Sequence, residues 1–113
     1  MRVDRERRYL LFILECLDRI ETYLPESLDA FLASPMLQDA IVWRLQAIAD
    51  AARNHLSDEL KARHGDIRWR AVYGFRNVAA HQYADINLHL VWELATEHLG
   101  ELRRVVETEL GDQ

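Results

Sequence analysis

The chain has 113 residues, half of them hydrophobic, with only four glycines and two prolines, which points to one helix-rich domain over residues 1–113. Fourteen basic against nineteen acidic residues leave a formal net charge of −5; this argues against a broadly basic nucleic-acid-binding surface, though not against RNA held in a small cleft, where the local field decides. A single cysteine, Cys16, excludes an internal disulfide framework or a Cys-based zinc site, and no run approaches the length of a membrane span.

Four helices are expected. The first covers roughly Asp4 to Leu24, where Leu10, Ile13, Leu17, Ile20 and Leu24 recur at helical spacing and Pro25 ends the run. Cys16 falls among these apolar residues and reads as a buried thiol. Phe31 and Leu32 lie in a connector with room for one helical turn. Ser34-Pro35 opens the second helix, with Ser34 as N-cap and Pro35 at the first helical position. Its apolar stripe is Leu37, Ile41, Leu45, Ile48, Ala52 and Leu56. A second line, Trp43, Gln46, Asp50 and Arg53, is more polar and is either a second working face or plain solvent exposure.

Gly65-Asp66 marks a break, with Asp66 a candidate cap for a third helix over roughly Ile67 to His81. Asp85 or Asn87 caps a fourth, whose stripe is Leu88, Val91, Ala95, Leu99, Leu102 and Val106. The expected architecture is an all-α antiparallel bundle with short connections. At this length the core alone is marginal, and a dimer interface is a natural source of further burial.

The densest chemistry lies in Tyr73-Gly74-Phe75-Arg76-Asn77-Val78-Ala79-Ala80-His81-Gln82-Tyr83. Within this string stand a permanent cation, an amide, a titratable imidazole and a phenol, which can bind a phosphate, move a proton and accept a modification. The bare Arg…His pair is weak evidence, because thirteen Arg and five His supply about one or two such pairs by chance. On an ideal α-helix Asn77 and His81 share a face, whereas Arg76 is rotated from His81 by about 140°. Convergence then needs fraying near His81 or a second copy of the helix across a symmetric interface.

The surrounding residues carry more weight. Asp4-Arg5, the helix from Leu10 to Leu24, Phe31-Leu32, Met36-Leu37-Gln38-Asp39-Ala40-Ile41 and Leu45-Gln46-Ala47-Ile48-Ala49-Asp50-Ala51 form an ordered series. It continues through Ile67-Arg68-Trp69-Arg70 and Gly74-Phe75-Arg76-Asn77, then His81, Tyr83 and Val91-Trp92-Glu93. This series resembles the HepT-like toxins of the HEPN superfamily over nearly the whole chain. The resemblance implies an endoribonuclease that needs no metal or other cofactor, the toxin of a type VII toxin–antitoxin pair. It implies a homodimer whose two Arg-x4-His motifs line one cleft, an RNA substrate (mRNA or tRNA), and an MntA-like minimal nucleotidyltransferase antitoxin. That antitoxin transfers AMP to the tyrosine two residues after the histidine.

Carried onto this sequence, the catalytic pair is Arg76 and His81, with Asn77 and Asp50 in support and Tyr83 as the site of AMPylation. The other reading of the same resemblance is a non-catalytic HEPN subunit that binds a nucleotidyltransferase. Three positions depart from the family pattern. Ala49-Asp50-Ala51 stands where Gly-Glu-Ala is frequent, which makes the carboxylate one methylene shorter. Gly65-Asp66 stands where a proline frequently precedes the Ile-x-Trp stretch, and Gln82 replaces a frequent Glu.

Other candidates are weaker. His55, His64, His89 and His98 show no zinc-binding spacing. Trp43, Trp69 and Trp92 read as packing or interface residues rather than base-stacking platforms. The Arg5, Arg7, Arg8 cluster reads as a solvated face. The excess of Arg over Lys reflects either phosphate and carboxylate recognition or the codon bias of a GC-rich genome. No Gly-rich phosphate loop is present. The charged start lacks the apolar stretch of a secretory leader, so a cytoplasmic protein with no membrane association is expected.

Overall fold

The computed structural model describes residues 2–79 and 86–111. It is all-α, as expected, with no strand among the described residues. The helices are α1 (Arg2–Tyr23), α2 (Leu28–Leu32), α3 (Pro35–His55), α4 (Asp58–Arg63), α5 (Trp69–Tyr73), α6 (Leu88–Glu97) and α7 (Gly100–Gly111), with a 3₁₀ segment at Gly74–Ala79 following α5. No helix among the described residues is long and apolar enough to cross a membrane.

The two long helices follow from their stripes. On α1, Leu10, Ile13, Leu17 and Ile20 are buried, as is Cys16. Burial pushes the Cys16 thiol pKa up, and the neighbouring Arg44 guanidinium, 3.6 Å from its sulfur, works against that rise. Helix α1 ends at Tyr23, two residues before Pro25, whose ring cannot continue the ladder. On α3, Ser34 caps by accepting from the Leu37 N–H at 3.3 Å, and Pro35 occupies the first helical position. Ile41, Leu45, Ile48 and Ala52 are fully buried; each fully buried Ile or Leu contributes about 1.5–3 kcal/mol.

The connector at Phe31 is the single turn expected. Ser27 caps α2 through the Ala30 N–H (3.1 Å), and Phe31 is fully buried with its ring 5.5 Å from that of Trp92. The Gln38 side-chain amide donates to the Phe31 and Leu32 carbonyls at 2.9 and 3.1 Å. These are acceptors that the end of a short helix leaves without intrahelical partners.

Three boundaries differ from the sequence expectation. Helix α4 is an additional turn and a half, opened by Ser57 accepting from the Leu60 N–H (3.1 Å) and pinned by the fully buried Leu60. The expected third helix is α5 followed by 3₁₀ winding. Asp66 does not cap it: Arg68 holds the N-cap position and makes no side-chain cap bond, while Asp66 pairs with Arg104 of α7 at 2.6 Å. The expected fourth helix breaks at His98-Leu99 into α6 and α7, just before Gly100, a poor helix former. Asn87 caps α6 through the Leu90 N–H at 3.1 Å; Asp85 lies outside the described residues.

Helix α3 is the spine. It packs on α1 along one side and meets α2, α5, α6 and the 3₁₀ segment elsewhere, while α7 closes against α1. The buried side chains of all these elements form one cluster.

Candidate active site

Arg76 sits in the 3₁₀ segment, and its placement follows from burial on both sides of Gly74. Val72 and Phe75 are 6% and 4% exposed. Two buried residues three apart suit 3₁₀ winding, in which positions i and i+3 eclipse. Anchored by Phe75 beneath, the segment turns Arg76 and Asn77 outward, and both are exposed. Winding of the α type stops at Tyr73 and Arg76 stands in 3₁₀ winding, so the ideal α-helix is not its local geometry; its relation to His81 lies outside the described residues.

The segment lies on the polar line of α3. Asp50 forms an ion pair with the Arg76 guanidinium through Nη1, and the Gln46 side-chain amide donates to the Arg76 carbonyl at 3.4 Å. Gln46 and Asp50 are one turn apart and share a face of α3. One grips the backbone of residue 76 and the other its side chain. The Arg76 and Asp50 side chains remain 63% and 49% exposed, so a ligand phosphate can reach the guanidinium. A guanidinium has five donors in a planar fork; the contact at Nη1 leaves the rest of the fork for an anion.

The structure thus brings together Arg76 and Asp50, with Asn77 exposed beside them. His81 and Tyr83 lie outside the described residues. Gln46 is the member that the sequence reading placed on the polar line but not in the site. Its signal was the four-residue spacing to Asp50.

Two further features surround this site. Further along α3, Arg53 stands 5.9 Å from the centroid of the Tyr73 ring, and the Lys61 ammonium of α4 stands 4.9 Å from the same centroid. Toward the start of α3, Met36 and Trp43 are 76% and 56% exposed. The other two tryptophans pack inward: Trp92 against Phe31, and Trp69 with its indole N–H donating to the His64 carbonyl at 3.2 Å.

Comparison with known proteins bears on the family of the chain. The family model described as Ribonuclease HepT-like matches residues 13–109. A protein of Caldanaerobacter subterraneus subsp. tengcongensis, named "Putative RNase", is 32% identical over 102 residues, 89% of this chain and 90% of its own length. A Methanocaldococcus jannaschii protein, named "Gamma-glutamylcyclotransferase and putative RNase", is 30% identical over 99 residues, 87% of this chain and 44% of its own length. The "Probable ribonuclease HepT" of Thermococcus cleftensis is 27% identical over 96 residues, 84% of this chain and 86% of its own. No solved structure gives a significant match. With an all-α fold and a family match over most of its length, the chain belongs to the HepT-like ribonuclease family of HEPN proteins, a family of endoribonucleases.

Proposed function

We propose that the protein is a ribonuclease toxin that cleaves RNA through the substrate's own 2′-hydroxyl, with Arg76 and His81 as the catalytic pair. The observation that carries this reading is the exposed Arg76 guanidinium, held on α3 by Asp50 while Gln46 holds its backbone. A fixed cation with free donors suits a scissile phosphate, on whose oxygens negative charge grows during the reaction. The 2′-oxygen attacks the adjacent phosphorus, the bond to the 5′-oxygen breaks, and a 2′,3′-cyclic phosphate and a 5′-hydroxyl result. His81 takes the proton from the 2′-hydroxyl or supplies one to the leaving 5′-oxygen, tasks suited to an imidazole. RNA brings its own nucleophile, so no metal is required. Asn77 orients the phosphate or His81.

In this reading the protein works as a homodimer. Two Arg76–His81 pairs face one cleft, and the two histidines share the acid and base roles. Met36 and Trp43 recur seven residues apart on α3 and leave an apolar strip exposed on the helix that also carries Asp50. A second copy is the occupant that would cover that strip and bring the two sites together. Neutralisation comes from a nucleotidyltransferase antitoxin. The Tyr83 phenol oxygen attacks the α-phosphate of ATP, displaces pyrophosphate and loses its proton. The resulting bulky, anionic AMP competes with RNA phosphate for Arg76.

The test is RNA cleavage and growth arrest by wild type, Arg76→Ala and His81→Ala, with mapping of the RNA ends. Each variant is expected to lose roughly 10²–10⁴-fold in cleavage, and the wild-type ends should be cyclic phosphate and 5′-hydroxyl. Undiminished cleavage by His81→Ala would sink the mechanism. In the same assay Tyr83→Phe should stay toxic when the antitoxin is co-expressed, and its intact mass should lack the AMP adduct found on wild type.

A further inference from the structure

Tyr73 belongs to the motif string, yet the proposed reaction gives it no task. Its ring gathers two cations from two other helices: Arg53 of α3 at 5.9 Å and Lys61 of α4 at 4.9 Å from the ring centroid. Lys61 is the chain's sole lysine, and its ammonium also donates to the Arg53 carbonyl at 3.5 Å. Among the described residues neither cation makes an ion pair with a carboxylate. The nearest acid along α3, Asp50, is already engaged by Arg76. Two like charges converging on one ring, in a chain of net charge −5, make a local positive spot. Cation–π attraction at an exposed site is modest and does not remove the mutual repulsion of the pair; an anion does.

The spot is continuous with the candidate active site. Arg53 is one turn beyond Asp50 and two beyond Gln46, so all three share a face of α3. Tyr73 closes α5 three residues before Arg76, which lies in the 3₁₀ segment that follows. From Gln46 to Arg53 the helix rises about 10 Å, a length over which an RNA strand presents more than one phosphate.

We propose that Arg53 and Lys61, positioned by the Tyr73 ring, form a phosphate subsite that holds the RNA strand flanking the bond broken at Arg76. This rests on the ribonuclease reading above and adds to it a second contact on the substrate backbone. The subsite reads backbone rather than base. It therefore raises affinity for longer strands at every sequence, and it is salt-sensitive because each phosphate contact releases counterions.

The test uses wild type, Arg53→Gln/Lys61→Gln and, as a control, Arg19→Gln, which alters an exposed arginine on α1 paired with Glu15. The probe is a labelled single-stranded RNA of about 12 nucleotides, with 2′-O-methyl groups to block cleavage, titrated by fluorescence anisotropy over a range of salt. For the double variant the slope of log affinity against log salt should be shallower by about 1.4, that is about 0.7 for each lost contact. Its deficit relative to wild type should then shrink about sevenfold between about 50 and 200 mM salt. Arg19→Gln should match wild type. Cleavage of an unblocked dinucleotide, too short to reach the subsite, should be equal in all three proteins, whereas cleavage of a long RNA should fall only in the double variant. A Tyr73→Leu variant should weaken binding while keeping most of the salt slope, since both charges remain.

The double variant binding the blocked RNA with wild-type affinity and slope would overturn the subsite, and wild-type cleavage would then leave the ribonuclease reading standing. Wild type that neither binds nor cleaves RNA would overturn both. If the double variant keeps full RNA affinity and loses only capture of a co-expressed antitoxin, the cations dock a protein and the subsite is likewise overturned.

Discussion

Asp50 carries a carboxylate whose contribution to stability must be small and whose contribution to geometry is large. An ion pair with side chains 63% and 49% exposed is worth roughly 0–1 kcal/mol. Its effect is to remove rotational freedom from Arg76, which would otherwise sweep a long side chain through solvent. Asp50→Ala should therefore leave stability within about 0.5 kcal/mol of wild type; on the proposed mechanism it should also lower kcat about 10–100-fold, the scale of a misplaced catalytic group. Asp50→Glu, which restores the longer carboxylate frequent in the family, should recover most of kcat. Thermal unfolding beside single-turnover cleavage checks this; equal loss in the Ala and Glu variants would show that holding Arg76 is not what Asp50 does. Asp50 was legible in the sequence because its neighbourhood resembles the family pattern. Whether the shorter side chain reaches its partner was not, since that depends on how closely the 3₁₀ segment approaches α3. Gln46 was harder to read, because an amide one turn from an acid looks like any solvated polar pair until a backbone carbonyl is brought to it.

Among the elements, α1 and α3 could be read because their apolar residues recur over many turns and their boundaries carry Pro25, Ser34 and Pro35. The short elements could not. Helix α4 buries a single large apolar residue, Leu60, and one residue has no period. Winding in the motif segment changes where burial of Val72 and Phe75 favours a spacing of three, and a spacing of three is common to α and 3₁₀ geometry. The ends of α4 and α7 are joined by a contact that periodicity does not reveal. Glu109, 9% exposed, accepts from Arg63 Nη2 at 2.7 Å and Nε at 3.3 Å, and meets His64 Nε2 at 2.6 Å. The Arg63 hydrogen bond and then that of His64 hold the Glu109 carboxyl below its ordinary value, against the opposing effect of burial. A carboxyl lowered in the folded state binds fewer protons there than in the unfolded chain. The stability it contributes is thus complete above the ordinary carboxylate range and is lost as pH falls through that range toward the lowered value. Glu109→Gln should cost about 1 kcal/mol near neutral pH, because the bond to the half-exposed Arg63 is screened by solvent and the contact with His64 is the buried one. The gap to wild type should narrow in acid. Urea unfolding at neutral pH and near pH 4 measures it, and a gap that does not change with pH would contradict the carboxylate's role.

At the scale of the whole molecule, the buried side chains of the described residues form one core, yet α3 still offers solvent its Met36 and Trp43 side chains. Seven residues on an α-helix return to within about 20° of the same direction, so Met36, Trp43 and Asp50 lie nearly in line. The apolar strip therefore leads to the carboxylate that holds Arg76. The proposed dimer, formed across this strip, would bring two Arg76 residues toward one cleft and so couple assembly to catalysis: whatever separates the protomers should then also dismantle the site. An exposed tryptophan is the side chain most enriched among residues that dominate interfaces, where truncation costs 2 kcal/mol or more. Trp43→Glu places a charge in that position and should weaken self-association by at least about 30-fold, leaving a monomer with unchanged helicity. Cleavage should fall in proportion to the lost dimer and return as protein concentration is raised. Trp43→Phe, which keeps an apolar ring, should remain dimeric and active. Sedimentation velocity run beside cleavage at matched concentrations decides the matter. A Trp43→Glu monomer that cleaves at the wild-type rate would place all the catalytic machinery within one protomer. A Trp43→Glu protein that stays dimeric would move the interface to another face of the bundle.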